Sequence, residues 1–124
     1  GIAARIHALV REGAGLREVL EAHLDGLAEE EPLYARLVAE GALLPPFART
    51  TLLGLQSVIS HHMAAAAERE GDALRPVPMH LLFNGWIGLV HHYVAQRDLF
   101  APGGRVLVQR KTELIDHYLG LLEP

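Results

Sequence analysis

The chain contains no cysteine and a single lysine, Lys111, among 124 residues. The first absence excludes disulfides, thiolate metal sites and cysteine nucleophiles, and it fits a reducing cytoplasm. The second, with a formal net charge of −4, leaves no cluster of basic side chains. Nucleic-acid binding needs such a stripe to displace counterions from phosphates. No apolar run approaches the ~18 residues that would span a bilayer. The start carries no basic leader followed by an apolar core, so neither secretion nor a membrane partner is expected.

Hydrophobic residues make up 50% of the chain. At this length one domain with a real core is expected, burying roughly two-thirds of its unfolded surface. Apolar positions recur at helical spacing nearly throughout, and no segment alternates like a half-buried strand. The fold class expected is therefore all-α, a bundle of about six helices. Gly1 is not an initiator methionine, and Ile2, Ile6, Leu9 and Val10 already keep helical spacing. The expectation is a piece of a longer protein that starts inside or just before a helix.

The helices are expected over Ile2–Glu12, Leu16–Ala28, from the Glu29-Glu30-Glu31-Pro32 run to Leu44, Pro46–Glu70, Pro78–Asp98 and Arg105–Leu122. Carboxylates favour a helix start and proline fits a first turn, which places the third of these. Pro45-Pro46 stops it, Gly71-Asp72 ends the long fourth, and Ala101-Pro102-Gly103-Gly104 separates the last two. No repeat, low-complexity tract or domain linker interrupts the order.

The faces of these helices carry the functional expectations. On the long helix, Leu52, Ile59, Met63 and Ala66 share a side with Gln56 at its centre and Arg49 and Ser60 at its margin. A buried amide must find hydrogen-bond partners, either in a pocket where it orients a ligand or on a neighbouring helix or water. His23, among Leu16, Leu20 and Leu27, raises the same pair of readings, ligand contact or satisfied core residue. The expected pocket is lined by Leu52, Gln56, Ile59, Ser60, Met63, Phe83, Trp86 and Val90, with His23 beside them.

On Pro78–Asp98, Met79, Phe83, Trp86, Val90, Tyr93 and Val94 form a broad core-facing arc. Leu81, Gly85, Gly88 and His92 form a second stripe, and His80, Asn84, His91 and Asp98 a polar seam. Glycine within a helix is disfavoured by ~1 kcal/mol against alanine. Two in one stripe suggest that another helix comes close, either from the same chain or across a dimer. The dimer is favoured because the final helix has two apolar stripes: Leu107, Leu114, Tyr118 and Leu121, then Val108, Ile115, Leu119 and Leu122. The expected interface is Leu81, Gly85, Gly88, Leu89, His92, Leu107, Leu114, Tyr118 and Leu121.

Eight histidines form no His-Glu-x-x-His motif and no His-His pair at i,i+4, so no metal site is expected. Ser57 and Ser60 lie mid-helix and not on a nucleophile elbow, and no catalytic constellation or cofactor motif can be assembled.

Three segments carry a resemblance: Leu82-Phe83-Asn84-Gly85-Trp86-Ile87-Gly88-Leu89-Val90, Asp98-Leu99-Phe100-Ala101-Pro102-Gly103-Gly104 and Leu114-Ile115-Asp116-His117-Tyr118-Leu119-Gly120-Leu121-Leu122. With the helix order before them, they resemble the C-terminal effector-binding and dimerisation domain of TetR/AcrR-family transcriptional regulators. The resemblance spans the chain, but only its last third is specific. It implies a homodimer formed by the last two helices of each subunit as a four-helix bundle. It also implies a small, largely apolar effector among the earlier helices. DNA would be bound only through an N-terminal helix-turn-helix domain, whose pattern is not in this chain, with Ile2–Glu12 as the connecting helix. A helical interaction module without a ligand is the alternative, and a small helical enzyme a more distant one.

Overall fold

Leu16 opens the helix around which the other helices are arranged. The computed structural model describes Ala4, Ala8 and residues 13–124; apart from those two alanines, the helix expected over Ile2–Glu12 lies outside the described residues. Among the described residues the protein is an all-α helical bundle. Helix α1 (Leu16–Ala28) buries Leu16, Val19, Leu20, Ala22, His23, Leu24, Gly26, Leu27 and Ala28, leaving Arg17, Glu18, Glu21 and Asp25 toward the surface. It has no capping side chain of its own. Glu70 Oε2, from a distant helix end, accepts the Leu16 N–H at 2.9 Å and so pairs one of the donors a helix start leaves open.

Helix α2 (Glu31–Glu40) has proline in its first turn. The expected extension to Leu44 is corrected: the α-helix stops at Glu40 and a 3₁₀ turn, Gly41–Leu43, follows before Pro45-Pro46. Helix α3 (Pro46–Glu70) has the bounds its prolines and Gly71 specify. Gly71 adopts φ +52°, a left-handed conformation that glycine reaches without a Cβ clash.

Helix α4 (Met79–Ala95) is shorter than the expected Pro78–Asp98. Gln96, at φ −105° and ψ 26°, breaks it from the single turn α5 (Arg97–Phe100). The expected helix Arg105–Leu122 is also two pieces, α6 (Val106–Gln109) and α7 (Lys111–Gly120). Arg110 between them sits at φ −107° and ψ 7°, outside helical geometry. Its Nε donates to Phe100 O at 3.1 Å and its Nη1 pairs with Glu113 at 2.9 Å. The break is therefore held by side-chain bonds and not by a proline or glycine.

Helix α1 packs against α2, α3, α6 and α7, while α4 packs against α2, α3 and α7. One core joins Leu20, Leu24, Ile59, Met63, Trp86, Val90, Leu107 and Ile115. Two ion pairs, Arg17–Asp116 and Lys111–Asp25, each at 2.8 Å, flank the contact of α1 with α7. No helix among the described residues is long and apolar enough to cross a membrane.

Candidate functional site

The polar residues expected on apolar faces occupy two different environments. His23 is 4% exposed and Trp86 fully buried. The Trp86 indole N–H donates to His23 Nδ1 at 3.0 Å, so the proton of the neutral ring sits on Nε2. Burial, and then the nearby His91, push the His23 pKa down to about 3; the ring is neutral near pH 7. The Tyr118 ring also packs against Trp86, with centroids 5.2 Å apart, and its hydroxyl donates to Leu82 O.

A second pair, absent from the expected site, extends this polar thread. The Tyr34 hydroxyl and His91 Nε2 are 2.5 Å apart, joining α2 to α4. Burial raises the Tyr34 pKa and lowers that of His91, so a protonated phenol donates to a neutral imidazole. His91 lies on the half-polar side of α4. Its sequence gives no sign that a tyrosine on another helix would meet it.

Gln56 is in neither pair. It is half-buried and, with Leu53, Ser57, Ser60, His61 and Phe83, lines an open cleft of about 440 Å³. The expectation of a buried amide at the centre of an apolar face is thus corrected. Helix α3 is roughly 37 Å long at 1.5 Å per residue, and its buried residues Ile59, His62, Met63 and Ala66 all lie in the C-terminal half. The expected pocket residues therefore divide. His23, Ile59, Met63, Trp86 and Val90 come together in the packed interior, with Leu52 and Phe83 half-buried at its edge. Gln56 and Ser60 face the cleft, which Phe83 also reaches.

The expected dimer residues divide as well. Leu81, Gly85, Gly88 and His92 are exposed along α4, Leu89 is half-buried beside them, and Leu121 is 57% exposed at the end of α7. Leu107, Leu114 and Tyr118 are corrected: at 1%, 3% and 3% exposure they belong to the chain's own core. Ile115 and Leu122, from the second stripe, are buried too. The reason is that α7 lies against both α1 and α4, so two apolar stripes are used within one chain. Among the described residues neither α4 glycine is required by internal packing: a Cβ on Gly85 would meet Tyr118 Cε1 at an ordinary 3.8 Å, and one on Gly88 would meet nothing within 4 Å.

Between α4 and α7 lies an apolar cleft of about 350 Å³, walled by Val77, Leu81, Leu82, Gly85, Leu89, Tyr118, Leu121 and Leu122, with Arg75 and His117 as its charged or polar edge. The backbone N–H of Arg75 donates to Leu122 O at 2.7 Å, tying the loop after α3 to the end of the chain. A second cleft of about 300 Å³ adjoins it, sharing Arg75, Val77 and Leu82 and adding Glu68 and Asp72. A small recess of about 60 Å³ lies beside Tyr34 and Leu55. None of these four clefts is lined by His23, Ile59, Met63, Trp86 or Val90. Among the described residues no group of three or more His, Asp or Glu is placed to hold a metal ion. Compared with protein families, with curated proteins and with solved structures, the chain matches none.

Proposed function

We propose that this chain is a dimerisation and effector-sensing domain of the kind that TetR/AcrR-like transcriptional regulators carry behind a helix-turn-helix. The observation that carries the reading is the exposed stripe Leu81, Gly85, Gly88 and His92 on α4, continued by Leu121 just past the end of α7. Glycine inside a helix is disfavoured unless something gains from its thinness. Among the described residues nothing does, which supports a second copy packing across this face about a two-fold axis. In that arrangement α4 and α7 of each subunit form the four-helix contact, and a small effector acts through the helices that would join it to a helix-turn-helix reader.

A second reading, a helical interaction module that senses nothing, is favoured by one observation. His23, the polar residue that sequence places at the expected interior pocket, is bonded to Trp86 among packed side chains. Light scattering at micromolar concentration tests the dimer, and a monomer there overturns the proposal. A thermal-shift screen of small apolar molecules separates the two readings, since a ligand stabilises the fold by mass action and a pure module responds to none. An upstream reading frame encoding a helix-turn-helix favours the regulator.

A further inference from the structure

We propose that the cleft between α4 and α7 is a binding site for a small amphiphilic carboxylate. Its chain lies along Leu81, Leu82, Leu89 and Leu121, and its head group is held by Arg75 and His117. The site names the chemical class of the effector, and it rests on the proposed regulatory function only for its consequence, not for its existence.

Three observations converge. The cleft volume of about 350 Å³ lies at the lower end of the range for small-molecule sites. That suits one chain of medium length and not a two-chain lipid. Its walls are aliphatic, and the hydroxyl of Tyr118 is already committed to Leu82 O. The floor therefore offers no free hydroxyl donor to a polar head group, which leaves that role to the edge. At the edge, Arg75 is exposed and bonded only through its backbone N–H. Among the described residues neither its guanidinium nor the His117 ring has a hydrogen-bond or ion-pair partner.

An unpaired guanidinium beside an apolar cleft is complementary to an anionic head with an apolar tail. The acidic groups Glu68 and Asp72 line the adjoining cleft, which shares Arg75 with this one and repels an anion. They orient the carboxylate toward the α7 side, where His117 stands. Leu81, Gly85, Leu89 and Leu121 belong both to this cleft and to the exposed face, so a bound chain would lie where a second copy docks. An effector there would act on dimer geometry directly, without entering the filled interior.

Isothermal titration of the chain with sodium decanoate, below its micelle concentration, tests the site, with decanol as the uncharged control. Decanoate is expected to bind once per chain. Arg75→Gln is expected to weaken it about tenfold or more, the effect of one charge-assisted hydrogen bond. Decanol should bind more weakly and be indifferent to Arg75→Gln. Absence of saturable decanoate binding overturns the site, and so does equal affinity in an Arg75→Gln/His117→Gln variant. Light scattering on the same samples keeps the two proposals apart. A monomer that binds decanoate removes the dimer and leaves the site; a dimer that ignores decanoate does the reverse.

Discussion

Glu31 and Leu107, 76 positions apart, are joined in the interior by a hydrogen bond of 2.9 Å from the Leu107 backbone N–H to Glu31 Oε1. The other carboxyl oxygen accepts the Val106 N–H at 3.1 Å, and Arg97 Nη1 stands 3.9 Å from it. A residue at the start of α2 thereby caps the start of α6, where the chain turns back into the bundle after Gly103. That glycine's φ of +69° makes the turn possible, and Glu31 holds its exit.

Glu31→Ala is expected to destabilise the protein by about 2–4 kcal/mol, because two buried N–H groups lose their acceptor. At this chain length that lowers Tm by roughly 8–15 °C. Glu31→Gln, which keeps one acceptor oxygen, should lose less. Thermal melts of the two variants check the order, and equal melts for wild type and Glu31→Ala would contradict the capping role.

His23 makes stability depend on acid. Its pKa is about 3 in the fold and near 6.5 in an unfolded chain. Between those values the unfolded chain binds the extra proton, so stability is full above about pH 6.5 and falls as the pH drops toward 3. His91, lowered by burial, acts in the same direction. His23→Leu should melt earlier at pH 7, by about 1–3 kcal/mol, since the Trp86 N–H loses its acceptor. Its melting temperature should fall less steeply between pH 7 and pH 4. A variant as acid-sensitive as the wild type would show that other groups govern the dependence.

Tyr34→Phe removes the bond between α2 and α4. A loss of about 0.5–1.5 kcal/mol is expected, read as a lower denaturant midpoint with an unchanged slope.

Gly88→Gln and Leu121→Glu probe the exposed face without disturbing the core, since Gly88 has open space around it and Leu121 is mostly exposed. Each should halve the mass measured by light scattering while leaving the helical circular dichroism unchanged. Leu114→Glu is unsuited to this purpose: Leu114 is buried, and the variant would report unfolding.

The bounds of α1 and α3 were legible because Gly13-Ala14-Gly15, Pro45-Pro46 and Gly71 punctuate the chain there, and the polar face of α1 followed from Arg17, Glu18, Glu21 and Asp25. The breaks at Gln96 and Arg110 were not, because neither residue is a helix breaker; side-chain bonds from Arg110 to Phe100 and to the nearby Glu113 hold the second. Glu31 read as one more charge at a helix start, since its acceptor role depends on backbone groups far along the chain. Periodicity grouped Leu107, Leu114 and Tyr118 correctly on one side of the last helices, but it says nothing of how many neighbours a helix has. The Gln56 reading failed for a related reason. A repeating pattern does not reveal where along a long helix the core ends.

The place where the core ends along α3 has a kinetic side. In α3 the segment from Pro46 to Ser57 contains no buried residue, whereas Ile59, His62, Met63 and Ala66 lock the remainder into the core. Amide protons of the first segment are held only by local helical bonds and should exchange with solvent deuterium through fraying, while those after Ile59 wait for the whole bundle to open. One uninterrupted helix would then show two lifetimes, with the boundary near Val58.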